Sequence, residues 1–579
     1  MIRLLIDNKE AVIEADSGID IIRKNPFFTK EGDLTYDISL DLKNPQNAKL
    51  FGYLNRFQIL NQPTGRTAAL FDGPRCLIRG TEIVLSIDDS VVKIQIVGTN
   101  SELNYLTGFD MSIRDYDYGP VANPGILNPE EEIYDETFNG RFPNKYYNYS
   151  PLIIRKSDGT FNNANIFKYG LDGKLYLVEG VRAIKQPFFL FFVEKIIELI
   201  GYKITKNELR DDALFAGLQI ITTKQWSEWR EVLPDWTVDQ FITEVETFCN
   251  CIFIVDQYNK EIAIRSIKGF YDSAEIVYLD NVMDNRAVEF SEEPEELFLN
   301  YSSVKYDFPD NDLYRYACLD SNIIEKCTNT YFTEMGGLDS VNLESKYNTF
   351  ELFHVENKGL SFVIDKDNGG FYWKQVNNLA AKGNSKDVVT LKMYPAVTST
   401  YKSSQIIGIN LEALVDSMAP IVYDTTEKTD EQGLNEAIQS GLQEDDTPDG
   451  LMLSCYMGYL PTYRLLENGQ YVTTIVTLPS SVSYPIFAIN KYVFDVSLFM
   501  PYSLELQGKY GMYSRLYSGN VNIDTKKKVT IHFLTTEILD PKLIYQFRNK
   551  RYYCAQLKYS VENGELGKMV EGEFYPIEK

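Results

Sequence analysis

From Phe188 onward the apolar residues recur at helical spacing. Phe188, Phe189, Phe192, Val193, Ile196, Ile197 and Ile200 form one broad face and predict a helix from Pro187 to Gly201. Pro187 suits the first helical position, which needs no backbone N–H, and Gly201 suits the left-handed residue past the end. A second helix is predicted over Thr237–Phe248. Thr237 is its N-cap, Gln240 stands at capping-box spacing, and Trp236 is placed to staple onto Phe241. Val238, Phe241, Ile242, Val245 and Phe248 share its apolar face. Cys251–Asp256 and Glu261–Arg265 then flank the polar turn Gln257–Lys260 and predict a β-hairpin. Residues 187–270 therefore read as a helix–helix–hairpin unit with its own core.

The pattern elsewhere has the short period of strands. Residues 1–115 predict an N-terminal β-barrel-like domain. Its turns are expected at Asp7–Glu10, Asp72–Pro74 and Asp88–Ser90, and a short helix is expected to open at Asn44-Pro45. Residues 116–186 change character: Tyr, Asn, Gly and Pro are frequent, and an irregular, aromatic-rich insertion is expected, with a hairpin turn at Leu171–Lys174. Between the two helices, Leu218–Ile221 reads as a strand and Gln225–Pro234 as a loop or short helix. Residues 271–424 form a second β domain, with one short helix expected over Leu411–Met418. Residues 425–450 read as an acidic surface loop, and 451–579 as a C-terminal β segment closing the second β domain. The fold class is β-rich α+β and multidomain, with barrel-like β domains around the helix–helix–hairpin unit.

Size and charge narrow the function. A chain of 579 residues exceeds what one core can organise, so about three or four domains are expected. Forty Tyr and 33 Phe fit a β-rich protein with large contact surfaces. The net charge of −25 disfavours nonspecific binding to nucleic acid or to an anionic membrane. The run from Phe188 is too short and too charged to span a bilayer, and the N-terminus lacks the apolar core of a signal peptide. Seven scattered Cys imply no disulfide framework and fit small buried hydrophobes in a reducing cytoplasm.

Candidate chemistry is sparse. Cys249-Asn-Cys251 lacks the spacing of zinc or thioredoxin-type sites and reads as core. His354 and His532 are the only histidines, and neither lies near a Ser or Cys motif. Asp365–Gly370 and Asp445–Gly450 begin like calcium loops but lack the closing Glu, and both read as turns. With 82 acidic residues, carboxylate pairs carry no signal. No catalytic, cofactor-binding or metal residues are assigned, and no cofactor is expected. Trp226 and Trp229, with Trp236 close behind, read first as core; the sharper reading makes Trp226 and Trp229 an interface anchor.

The order of elements resembles the tail hub proteins of long-tailed bacteriophages and related contractile injection machines. The resemblance is carried by the β-rich start, the aromatic insertion, Trp236–Val245, the hairpin Ile252–Arg265, and the closing stretches Ile544–Tyr559 and Gly572–Tyr575. It implies a homotrimer whose paired barrels present pseudo-sixfold symmetry to a hexameric tail-tube ring. The expected partners are copies of itself, the tail tube protein, distal tail or baseplate proteins and the tape measure protein. The expected location is the virion tail, after assembly in the bacterial host cytoplasm. Two other readings stand beside it: a tail-associated cell-wall hydrolase using carboxylates in 310–540, and a carbohydrate-binding adhesin.

Overall fold

The computed structural model describes residues 2–14, 18–54, 56, 65–98, 111–121, 142–150, 152–156, 182–256, 259–272, 274–290, 304–307, 526–562 and 564–577, with shorter stretches between 162 and 177 and between 350 and 523.

The N-terminal strands are β1 (Ile2–Ile6), β2 (Lys9–Ala11), β3 (Ile19–Lys24), β4 (Leu34–Thr35), β5 (Ile38–Asp41), β6 (Thr67–Asp72), β7 (Arg75–Ile87) and β8 (Val91–Val97). In β8 the alternation is plain: Val92, Ile94 and Ile96 are buried, and Lys93 is exposed. Asp7 and Asn8 take positive φ (47° and 61°) and close the two-residue turn that pairs Ile6 with Lys9. The helix α1 (Pro45–Leu50) starts as its sequence demands, with the Asn44 side chain accepting from Gln46 N–H and Pro45 in the first turn. It also seals a sheet edge. The buried Asn47 amide accepts from Val12 N–H at 2.8 Å and donates to Val12 O at 2.9 Å, standing in for a strand beyond β2.

The hairpin of the central unit is β9 (Cys251–Asp256) and β10 (Glu261–Ser266). The chain continues through β11 (Ile276–Tyr278) and β12 (Val282–Phe290), and ends in β13 (Lys527–Leu534), β14 (Ile544–Phe547), β15 (Lys550–Glu562) and β16 (Glu565–Pro576). These last strands join the first ones in a 14-stranded sheet, eleven of them in the order β12-β13-β16-β15-β3-β4-β8-β7-β6-β1-β2, with β5 on β8, β14 on β15 and β11 on β14. The seam is β3 on β15, from Ile19 opposite Val561 to Lys24 opposite Gln556. β15 is long enough to serve two neighbours: Lys550–Tyr553 pairs with β14, and the later part with β3. β11 and β12 lie on opposite flanks of β14-β15-β16-β13, yet only residues 279–281 connect them. That half of the sheet must therefore curl. The sheet is curled and open, and not closed as a barrel. The last strands of 451–579 pair both with 276–290 of the second β stretch and with residues 19–24 of the first. One hydrophobic core takes Leu4, Ile21 and Ile94 from one chain end and Ile531, Tyr545 and Phe574 from the other.

The central unit forms as its pattern predicts, with one correction. Helix α2 is Phe189–Leu199, and Phe188 is its N-cap. Pro187 belongs to a short strand opposite Tyr147, and Phe188 N–H donates to Tyr146 O at 2.9 Å. Pairing with the insertion holds the chain extended there, so Pro187 precedes the helix by two residues. The other end is as expected: Gly201 has φ +92°, Gly201 N–H reaches Glu198 O, and Tyr202 N–H reaches Ile197 O. Helix α3 is Val238–Cys249, where the Thr237 hydroxyl accepts from Gln240 N–H and Asn250 ends the helix in the left-handed region. Trp236 and Phe241 are buried in the same core as both helices.

One further expectation changes. Leu411–Met418 is part of the strand Leu411–Tyr423, paired antiparallel with Val397–Gly408. Its apolar spacing fits a helix, but a long neighbouring strand overrides it. The turn 171–174 and the acidic loop up to Asp449 lie outside the described residues. Gly217 is tightly placed: its N–H donates to Leu214 O and closes the Ala213–Ala216 turn, its C=O accepts from Tyr456 N–H at 2.7 Å, and a Cβ on Gly217 would sit 2.7 Å from Tyr456 O. Gly217→Ala is expected to cost about 1–3 kcal/mol. The measurable sign is faster amide exchange in the Leu218–Ile220 strand that follows.

Candidate functional site

The aromatic cluster around α2 takes in both tryptophans singled out from the sequence. Leu218–Ile220 pairs with Leu451–Tyr459, and the chain then loops back over α2. Glu228 and Glu231 cap the turn Trp229–Val232, and this fixes the direction of Trp229. Its ring lies 4.3 Å from Phe191, 5.9 Å from Phe192 and 5.1 Å from Trp226. Trp226 stacks edge-on to Tyr147 at 6.2 Å and donates its indole N–H to Lys185 O at 2.9 Å. The Trp229 indole N–H is buried and has no acceptor among the described residues. Trp226 is 7% exposed and Trp229 3%. Their apolar area is spent inside the subunit, pinning the 142–150 segment onto α2.

Beneath this cluster lies a layer of uncharged polar side chains. Asn148, Ser150, Asn165, Gln186 and Gln219 are all buried. Ser150 Oγ donates to Gln219 Oε1 at 2.9 Å, and Asn165 Nδ2 donates to Ser150 O and Ile184 O. Gln186 Oε1 accepts from Thr222 N–H at 2.9 Å. The side chains replace a regular ladder where the insertion crosses the helical unit. They carry no charge and fix geometry only.

A third constellation joins the helical unit to the large sheet. The turn after β3 inserts Phe27 and Phe28 among Ile252, Phe270, Tyr271, Tyr553 and Tyr575. Asn25 is its hub. Its Nδ2 lies 2.9 Å from Tyr271 Oη, 2.9 Å from Pro541 O and 2.8 Å from Cys554 O, and its Oδ1 accepts from Phe27 N–H. Beside it Lys30 Nζ reaches Thr243 Oγ1 at 2.6 Å and Glu246 Oε2 at 3.4 Å, both on α3. Burial pushes the Glu246 carboxyl up to about 7 against the pull of Lys30.

The titratable groups of the described residues are arranged for packing. His532 faces Glu571 across β13 and β16 at 3.1 Å on a partly exposed sheet face. His354 lies in the strand Phe350–Val355. Cys249, Cys251, Cys455 and Cys554 are buried free thiols, and Cys76 is exposed. Burial raises the thiols of Cys251 and Cys554, which keeps them protonated and unreactive. Burial also raises the carboxyls of Asp33 and Glu82, and each is bound to an arginine: Asp33 to Arg23 at 3.2 Å, Glu82 to Arg66 at 2.6 and 2.8 Å. Among the described residues no three His, Cys, Asp or Glu side chains gather closely enough to hold a metal ion. No helix there is long and apolar enough to cross a membrane. Most of the stretch 310–540, where the hydrolase reading would need its acids, lies outside the described residues.

The asparagine hub and the Lys30–Glu246 pair were not singled out from the sequence. Neither has a local signal: Asn25 and Cys554 are 529 residues apart, and Lys30 and Thr243 are 213 apart.

Comparison with known proteins gives little more. No family model matches the chain, and no curated protein does. Among solved structures it is similar to the 43 kDa tail protein of prophage MuSo2 from Shewanella oneidensis, at 9% identity and a TM-score of 0.30, over 99% of this chain and 97% of that one. It is also similar to a tail protein from Neisseria meningitidis MC58, at 6% identity and a TM-score of 0.28, over 99% and 95% of the two chains. Likeness at that level carries no argument about fold or function. What the residues themselves establish is a β-rich, multidomain chain whose buried polar and aromatic groups hold its parts together.

Proposed function

We propose that this chain is a structural protein of a bacteriophage tail, and within the tail a hub: a homotrimeric, ring-forming scaffold joining the tail tube to the distal tip or baseplate. The reading rests on the order of elements. A capped helix, Val238–Cys249, runs directly into the hairpin Cys251–Ser266, and the following strands curl beside an N-terminal β unit. That succession is what the resemblance to tail hub proteins was drawn from. A scaffold also suits the use made of buried chemistry here. The carboxylates and amides described above bind neighbouring elements of the chain itself.

In this role the partners are copies of itself, the tail tube protein, distal tail or baseplate proteins and the tape measure protein, and the location is the virion tail. The test is mass measurement of the purified chain, alone and mixed with its tube protein. Trimers that join tube rings are expected. A chain that stays monomeric at high concentration and ignores tube protein would remove the proposal. Turnover of cell-wall glycan, abolished by one Asp or Glu change in 310–540, would replace it with the hydrolase reading.

A further inference from the structure

The joint between the helical unit and the large sheet contains one fully enclosed acid. Glu246 is 5% exposed and touches three elements at once. Its Oε2 faces Lys30 from the turn after β3, its Oε1 accepts from Phe253 N–H of β9 at 3.3 Å, and its own backbone belongs to α3. The lysine is itself held to α3 through Thr243. We propose that Glu246 and Lys30 form a proton-controlled latch across this joint: the neutral carboxyl keeps the turn Asn25–Lys30 seated on α3, and ionisation favours its release. The inference is independent of the tail reading.

The surroundings give the direction. The facing groups are Lys30 on the turn, Asp239 on the first turn of α3, and the Cys251 thiol on β9. Asp239 adds a repulsive charge, and the thiol is protonated. Glu244, two residues earlier on α3, accepts from Lys392 N–H at 3.3 Å, and burial raises its carboxyl too. Lys30 is the cation bonded to Glu246, and its side chain keeps 29% of its surface in water. An ionised carboxylate there loses its hydration for one half-solvated ammonium, which is poor exchange. A neutral carboxyl loses little and still accepts from Phe253. The folded acid lies at about 7, above its ordinary value of 4.5. Closure is therefore fully favoured below the ordinary value, and that advantage is lost as pH rises through about 7.

Amide exchange of the full-length chain, corrected for intrinsic rates, reads the latch directly. Opening of segments 25–30 and 251–256 should rise about tenfold between about pH 6 and about pH 8, while β8 stays unchanged. Glu246→Gln should flatten that rise. Lys30→Met removes the stabilising cation, so it should move the midpoint of the rise to higher pH. That shift is measurable even where the glutamine variant folds poorly. A flat wild-type profile would overturn the latch. So would an equal rise in Glu246→Gln, or an unmoved midpoint in Lys30→Met.

Discussion

Replacing Trp229 with alanine is expected to destabilise the folded subunit by about 3–5 kcal/mol, among the largest losses for any single side chain here. The ring contacts Phe191, Phe192, Trp226 and Tyr147 and is 3% exposed. Its removal empties the centre of the cluster that holds the insertion on α2. Trp229→Phe should cost much less. The indole N–H has no acceptor among the described residues, so the smaller ring gives up area but none of the hydrogen bonds described. Trp226→Phe should cost more than Trp229→Phe, because it also removes the indole donor of Lys185 O. Denaturant unfolding followed by circular dichroism checks both. An interface anchor would behave otherwise: Trp229→Ala would leave the isolated subunit as stable as before and weaken only its association.

The second large effect is expected at Asn25. Its Nδ2, with two hydrogens to donate, lies within hydrogen-bond distance of oxygens from three separate stretches of chain, at Tyr271, Pro541 and Cys554. Asn25→Ala removes the bonds this amide donates and the one its Oδ1 accepts from Phe27 N–H, and should cost about 2–4 kcal/mol. Asn25→Asp should be worse near neutral pH. A carboxylate there faces two carbonyl oxygens and a phenol oxygen, so part of the loss should be recovered in acid as the new carboxyl is protonated. The same unfolding measurement, repeated across pH, separates the two variants. Equal costs at all pH values would mean that the site is reached by water.

Local pattern reached as far as local physics does. Helix α3 was legible because its cap at Thr237 and its apolar face lie within a dozen consecutive residues. The turn at Asp7-Asn8 was legible because those residue types tolerate positive φ. Pro187 was misplaced because its conformation is set by Tyr147, a partner on another segment. Leu411–Met418 was misread for the same reason, since its strand partner is Val397–Gly408. The pairing of β3 with β15 joins the two ends of the chain, and no periodicity names a strand's partner. At the joint, Glu246 is one polar residue between Val245 and Phe248 in a helix that faces the core on that side. Only the arrival of the turn after β3 turns it from a helix residue into an enclosed acid. The tryptophans show the reverse case: their spacing allows both core and interface, and both rings are buried within the chain.

Imaging of assembled tails, with this chain labelled at one end, tests the central claim most directly. The account predicts three copies in a ring at the tail tip, directly beneath the last ring of tube protein. Label found along the tube, on the head or on lateral fibres, or a copy number incompatible with threefold symmetry at the tip, would contradict it.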